Sequence, residues 1–392
     1  MKSKKIKTVL VQRICPHYRV PVFRRLAEQV DLILFYGRGM KSGAQQNAGR
    51  ITGFKSARLP TLAGSLQRGE RDYYLSWFPT LIYRIWKEKP DVIIVGGATD
   101  LPNNLMVIPF GRLAGIPVIW WDAGRDIGVA PGGFRRAVEP IIRRLIAGSC
   151  ACIAYGESGR KYFSSLGVDD SRIFIAENTM DISEIDRNRE SYADHFLTAK
   201  KERLNVSGKK IILYVGALER RKKIENLLRA FKLIRNDIPP AGLLIVGDGS
   251  RREELERTAE TLGLTDVLFL GRIIEEVGLY FLMADLFVQP GWSSLALVEA
   301  MAYGTPVITV PFGGPEFEVV EENRTGMIVE KDDISILAEA IKKLITDHSL
   351  REEMGRAARR EIQSRGLTSM VSEMVAAITF CAGKRKNKKR HR

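Results

Sequence analysis

The sequence predicts an α/β chain built as two successive parallel-sheet domains, and three observations carry that prediction. Short apolar runs with little alternation recur along the chain, each followed by a stretch of helical periodicity, as expected of strands covered on both faces. The pattern starts again near residue 210 after a weakly patterned, charged interval. At 392 residues the chain is too long for one ordinary core and suits two domains.

In the first half the candidate strands are 6–11, 30–35, 92–95, 118–121, 151–155 and 173–176. The first runs into the turn Cys15 to Pro21, which offers His17 and Arg19 to a ligand or merely to solvent, and a helix is expected from Val22. From Arg38 to Arg71, glycines, serines and isolated basic residues predict a long mobile excursion. The aromatic stretch Asp72 to Trp86 reads as a helix apolar almost all round, for core packing or for a lipid interface. Asp122, Arg125 and Asp126 follow a strand, at the edge where such sheets bind ligands, and an Arg125 ion pair of purely structural use is the alternative. The stretch 134–147 pairs Arg135-Arg136 and Arg143-Arg144 with apolar positions, a basic amphipathic helix that Pro140 should bend or interrupt. Glu157-Ser158-Gly159 is no nucleophile elbow, since Arg160 stands where the second glycine is needed. The charged segment 182–208 is expected as linker.

The second half opens with a strand at 211–215, then Gly216-Ala217-Leu218-Glu219-Arg220-Arg221-Lys222-Lys223 and a helix over 224–234 with a regular apolar stripe. A strand, a glycine and a basic cluster before a helix suit a phosphate. Gly247-Asp248-Gly249 follows strand 243–246, and Gly271-Arg272-Ile273 follows strand 267–270. The stretch Ala284 to Val310 then reads strand, turn, helix, strand: Leu286 to Val288, a break at Pro290-Gly291, a helix begun by Ser293-Ser294, and a return through Gly304-Thr305-Pro306. The two serines are expected to cap backbone N–H groups, and those groups, with the positive end of the helix dipole, suit a phosphate. Glu299 sits one to two turns into that helix, where a carboxylate can take hydrogen bonds from sugar hydroxyls. A short strand at 327–329 precedes the last helices.

The run Glu299-Ala300-Met301-Ala302-Tyr303-Gly304-Thr305-Pro306-Val307-Ile308 resembles the donor-binding signature of family 4 glycosyltransferases, retaining enzymes of the GT-B fold. That resemblance implies two Rossmann-like domains facing a cleft: an acceptor domain 1–190, a nucleotide-sugar domain 191–370, and a returning helix end with basic tail at 371–392. It implies catalytic roles for Lys222 and Glu299, a donor site of Gly216, Ala217, Arg221, Lys222, Gly247, Arg272, Ile273, Ser293, Ser294, Leu295, Ala296 and Glu299, and an acceptor side of His17, Arg19, Asp122 and Arg125. The family's first glutamate falls on Gly291, its arginine on Ala217, the glycine after its lysine on Lys223, and a frequent histidine on Ala123. Loss of the carboxylate at Gly291 makes room for a bulkier sugar, hands the role to Trp292 or Ser293, or removes activity.

Composition narrows the partners. Residues 1–190 hold 29 Lys/Arg against 18 Asp/Glu, a surplus of 11 out of the chain's net +15, and seven more positives lie in Lys384 to Arg392. With no DNA-reading motif, that charge fits an anionic membrane surface or an anionic acceptor, lipid-linked or lipopolysaccharide-like, and no specific nucleic acid. The tail itself is expected to be disordered. The start has too short an apolar core for a signal peptide, and no uninterrupted apolar run approaches a membrane span, so a cytoplasmic protein peripheral to the inner membrane face is expected. Four scattered cysteines and four unclustered histidines predict neither disulfide nor metal, with Cys150 and Cys152 a buried pair of free thiols on one strand face. No cofactor is expected, the nucleotide sugar being a substrate. An inert nucleotide-sugar-binding protein and a nucleotide-sugar epimerase on the same fold are the alternatives.

Overall fold

The computed structural model describes residues 4–39, 47–49, 51–68, 71–125, 133–192, 194–311, 315–330 and 332–390. The chain forms two compact units, Met1–Asn178 with Leu367–Arg392 and Thr179–Gly366. The break falls after Asn178, not at residue 190, because the expected linker is folded. Asp181 caps α6 (Ile182–Ser191) by accepting from the Glu184 N–H, and Ile182 and Ile185 are buried beside the second sheet; α7 (Asp194–Arg203) follows.

Unit 1 contains β1 (Lys7–Gln12), α1 (Val20–Gln29), β2 (Asp31–Tyr36), β3 (Lys55–Arg58), β4 (Leu62–Arg68), β5 (Arg71–Trp77), α2 (Leu81–Glu88), β6 (Val92–Gly96), α3 (Leu101–Ala114), β7 (Val118–Asp122), α4 (Gly133–Gly148), β8 (Ala151–Ala154), α5 (Glu157–Ser165) and β9 (Ile173–Ile175). Its sheet is parallel, in the order β3-β2-β1-β6-β7-β8-β9. Alternation within β1 sends Val9 and Val11 into one core layer and Leu10 into the other, so both faces must be covered. The two cysteines do not share a strand face as expected: Cys152 lies in β8 and points into the first layer, whereas Cys150 precedes the strand, escapes its alternation and packs against the second layer, its thiol paired with that of Cys381. All four cysteines are free.

Two expectations fail between 55 and 88. The excursion supplies an edge strand, β3, and an antiparallel hairpin, β4 with β5. The stretch read as one helix is β5 followed by α2, parted at Pro79, whose missing N–H and fixed φ suit a chain leaving a strand. Asn103 fixes the join, accepting from the Phe78 N–H (2.9 Å) and donating to the Ser76 carbonyl (3.1 Å).

Unit 2 continues with β10 (Lys210–Val215), α8 (Ile224–Ile234), β11 (Ala241–Val246), α9 (Arg252–Thr261), β12 (Val267–Gly271), α10 (Val277–Met283), β13 (Leu286–Gln289), α11 (Leu295–Tyr303), β14 (Val307–Thr309), β15 (Gly326–Ile328), α12 (Ile334–Thr346) and α13 (His348–Gln363). The second sheet, also parallel, runs β12-β11-β10-β13-β14-β15. In each sheet the chain starts centrally, builds outward on one side and crosses to the other, leaving a crevice at the strand C-terminal ends between β1 and β6 and between β10 and β13.

The final helix, α14 (Leu367–Arg390), returns to unit 1, where Met370, Met374, Ile378 and Cys381 join α1 in closing one core layer. The basic tail expected to be disordered is the continuation of this helix to Arg390; Arg385 donates to the Pro90 carbonyl (2.7 Å) and lies 3.5 Å from Asp91. Among the described residues one helical stretch, His348–Arg385, is long and apolar enough to cross a membrane, but these buried side chains make its second half a core helix. Ile378→Ala should therefore destabilise unit 1 by about 2–5 kcal/mol, read as a lower urea midpoint for its unfolding.

Candidate functional site

In unit 2 the loops leaving β10, β11 and β12 are laced together by backbone. Gly216 N–H donates to the Val246 carbonyl (3.0 Å), Gly247 N–H to that of Gly271 (2.8 Å), and Leu218 N–H to that of Asp248 (3.0 Å). A Cβ at Gly247 would lie 1.8 Å from the Gly216 carbonyl oxygen, and its φ of +148° is one that glycine alone adopts freely. Ala217 brings no charge; its carbonyl accepts from the fully buried Tyr214 hydroxyl (3.0 Å).

The same loop turns at Arg220–Lys222 and enters α8 through Lys223, which holds φ +52°, a left-handed conformation natural to the glycine it replaces. Lys222 is only 4% exposed. Its ammonium donates to the carbonyls of Trp292 (2.7 Å) and Ser293 (3.3 Å), so the turn before α8 is tied to the turn before α11. Burial, helped by the Arg221 charge, lowers its pKa to about 7, against the attraction of Glu316 and Glu219. Arg221 is drawn away from it, bonded to Glu219 (2.8 Å) with its guanidinium 5.7 Å from the Trp292 ring centre.

This contact decides what Gly291 can be. A Cβ there would lie 2.5 Å from the Arg221 carbonyl oxygen and 2.6 and 2.7 Å from the Lys222 carbonyl carbon and oxygen. No side chain fits, so the place a carboxylate would take is filled by backbone and the loss opens no room for a larger sugar. A different acid borders the turn: Glu316, buried, accepts from the Ser293 hydroxyl (3.0 Å).

Ser294, the N-cap residue of α11, does not cap it as expected. Ser293 is turned to Glu316, and Ser294 donates to the Gln289 side-chain carbonyl (3.0 Å) across the end of β13. The positive end of the helix thus lies at the backbone of Ser294, Leu295 and Ala296 with no cap from the Ser294 side chain. Glu299 is half-buried further along, and no described side chain hydrogen-bonds its carboxylate. Burial, then the charge of Glu184 on α6, raises its pKa to about 8. Arg272 is exposed just past β12, and Ile273 packs partly into the core. The structure thus gathers Gly216, Ala217, Arg221, Lys222, Gly247, Ser293 and Ser294 at one sheet edge, with Leu295, Ala296 and Glu299 following on α11.

In unit 1, His17 is exposed and edge-on to Tyr18, whereas Arg19 is 7% exposed, its guanidinium 4.8 Å from the Trp121 ring centre and 5.1 Å from that of Tyr155. Asp122 accepts from the Ala98 N–H (3.0 Å), and Arg125 lies over Tyr162 at 5.8 Å. Asp126 lies outside the described residues. A polar cluster not foreseen from sequence sits at the end of β6. Asp100, 1% exposed, accepts from Asn103 (2.7 Å) and Ser76 (3.4 Å), and burial raises its pKa to about 6. Asn104 donates to the Gly96 and Gly97 carbonyls (2.6 and 2.9 Å). The signal was Asp-x-x-Asn-Asn directly after an apolar strand. Among the described residues no three His, Cys, Asp or Glu side chains gather as a metal site would need.

Residues 196–361 match the family described as glycosyl transferases group 1. The chain is 31% identical over 175 residues to the capsular polysaccharide biosynthesis glycosyltransferase CapM of Staphylococcus aureus, covering 43% of this chain and 45% of that protein. It is 30% identical over 171 residues to a GDP-mannose-dependent α-(1-6)-phosphatidylinositol monomannoside mannosyltransferase of Mycolicibacterium smegmatis, covering 41% and 44%. These matches span less than half the length of either curated relative. Solved structures match along nearly all of the chain: Anabaena HepE in complex with UDP, at TM-score 0.74 and 17% identity over 96% of this chain and 99% of that one, and WaaG, described as a glycosyltransferase involved in lipopolysaccharide biosynthesis, at 0.66 and 15% over 95% and 99%. The fold is that of the GT-B glycosyltransferases.

Two expected outcomes test this local geometry. Gly291→Glu should lower the thermal midpoint sharply, whereas Lys223→Gly should raise stability by about 1 kcal/mol by removing left-handed strain. For Glu299, the folded form holds a proton between the ordinary carboxylate value and about 8 that the unfolded chain has released, so its burial costs stability progressively as pH rises through that window. Glu299→Gln should consequently gain thermal stability over the parent between pH 5 and pH 9, and an unchanged difference would refute the assignment.

Proposed function

We propose that the chain transfers a sugar from a nucleotide-sugar donor to a lipid-linked or lipopolysaccharide-like glycan acceptor. In this reading it is a family 4 hexosyltransferase that retains configuration, needs no metal, and works against an anionic membrane at the cytoplasmic face. Unit 2 takes the donor and unit 1 the acceptor, with His17, Arg19, Asp122 and Arg125 on the acceptor side. The observation that carries the proposal is the buried Lys222 ammonium tied to the turn that opens α11. A departing nucleoside diphosphate gains a negative charge beyond the two its phosphates carry in the donor, and a lysine beside a helix N-terminus offers positive charge and hydrogen bonds to meet it.

In the reaction, the bond from the sugar's anomeric carbon to the diphosphate oxygen breaks and the electron pair leaves with the diphosphate. The acceptor oxygen bonds the same carbon from the same face and gives up its proton to the departing group. Lys222, with a pKa near neutrality, is fully charged once an anion sits beside it, which adds attraction as negative charge develops. Glu299, its pKa raised to about 8, takes the ribose hydroxyls as hydrogen-bond partners. Arg221, Arg272 and Ile273 border the nucleotide, and the backbone N–H groups of Ser294, Leu295 and Ala296 meet its phosphates.

The names of CapM and WaaG, both tied to envelope polysaccharides, support the acceptor class, and the positive surplus of residues 1–190 supports the membrane. A second reading, a binder without turnover, draws on the absence of any carboxylate at Gly291 and of side-chain charge at Ala217. Mass spectrometry of reactions with UDP-, GDP- and dTDP-sugars, with and without bacterial lipid extract and with EDTA present, separates the readings. Sugar added to one lipid-linked species from one donor is the expected result. Nucleotide binding without turnover would favour the binder, and donor conversion without acceptor an epimerase. Lys222→Ala and Glu299→Ala should each lower transfer roughly 10²–10³-fold while the fold persists.

A further inference from the structure

The two helical layers of unit 1 differ in what they show to solvent. On the layer made by α1 and α14, no large hydrophobic side chain of the described residues is exposed. On the other, the hairpin β4–β5 and helices α2 and α3 expose Leu62, Trp77, Tyr83, Trp86, Leu105 and Leu113, the last 91% accessible. A scatter of single apolar residues needs no explanation, but a bias this complete toward one layer does.

The finest detail is on α2. Leu81 and Ile85 face the core, while Tyr83 (59% exposed) and Trp86 (60%) point outward and stack on each other, ring centres 6.3 Å apart. Between and beyond them Arg84, Lys87 and Lys89 are exposed. Beside them the Trp77 indole N–H reaches the Met106 sulfur (3.2 Å) on α3, joining hairpin to helix. Among the described side chains, Glu88 holds Lys7 and Lys55, and the buried Glu139 accepts from the buried Tyr162 and pairs with Arg143 (3.7 Å). Arg136, Arg143 and Arg144 on α4 stay exposed. Outward aromatics interleaved with basic side chains match the headgroup region of an anionic bilayer, where Tyr and Trp sit at the boundary and each basic residue is attracted to the surface.

We infer that this face of unit 1, centred on Tyr83 and Trp86 and flanked by the exposed arginines of α4, is the surface that docks on anionic lipid. The inference rests on the membrane contact in the proposed function and names the part of the molecule that makes it. It also divides labour: the aromatics of α2 and the hairpin enter the interface, while α4 supplies long-range attraction.

The test is flotation of the full chain with vesicles of phosphatidylcholine alone or with 30% phosphatidylglycerol. The parent should float only with the anionic vesicles, and less in high salt. Tyr83→Ser/Trp86→Ser should weaken binding roughly tenfold or more at any salt, whereas Arg143→Gln/Arg144→Gln should weaken it chiefly at low salt. Circular dichroism confirms the fold of each variant; both sites are exposed. Flotation of the parent with both variants unchanged would overturn the docking face while leaving membrane contact standing. A parent that ignores anionic vesicles would sink the membrane reading and this face with it, and a parent that instead dimerises through Tyr83 and Trp86 would make the face a contact between copies.

Discussion

The interaction on which the candidate site of unit 2 depends is the Lys222 ammonium shared by the carbonyls of Trp292 and Ser293. It is a buried cation with no carboxylate among the described residues in direct contact, satisfied by backbone dipoles. Such an arrangement is stable only because both turns are held elsewhere, one by the strand-end lacing of Gly216, Gly247 and Gly271, the other by Ser293 on Glu316 and Ser294 on Gln289. Each device looks minor alone. Together they place a positive charge and a helix N-terminus at the same sheet edge before any ligand arrives, which spares the binding step most of the cost of organising them.

The fold was largely legible because buried parallel strands write themselves as short continuous apolar runs: all six expected in the first half are present within a residue or so at their ends. What failed did so for local reasons. The aromatic run before Pro79 belongs to an antiparallel hairpin, and pairing with Leu62–Arg68 outweighs any helical tendency of Tyr73, Tyr74 and Leu75. The charged interval after Thr179 becomes helices because an Asp181 cap and two buried isoleucines suffice once a sheet is there to pack on.

The candidate site was legible in its residues and less so in its contacts. Lys222, Ser293 and Ser294 stand where a phosphate reading puts them, yet each serine hydroxyl is turned to a side chain, and nothing in the sequence marks Glu316 as the partner of Ser293 or Gln289 as that of Ser294. Gly291 shows the limit most clearly. A missing side chain reads as added space in one dimension, whereas in three the space belongs to the backbone of Arg221 and Lys222. Likewise Arg19 reads as a polar loop residue, because two of the aromatic rings that enclose it, Trp121 of β7 and Tyr155 just past β8, lie more than a hundred residues away.

The return of α14 to unit 1 has a consequence for synthesis. Unit 2 is a continuous stretch between the two parts of unit 1, so a ribosome releases all of it before Leu367 appears. Until then the sheet surface formed by Leu10, Ile94, Ile119 and Ile153 lacks the helix that covers it. The nascent chain therefore carries one finished domain behind an unfinished one, and its window for aggregation or chaperone capture closes only when the last turns of α14 emerge.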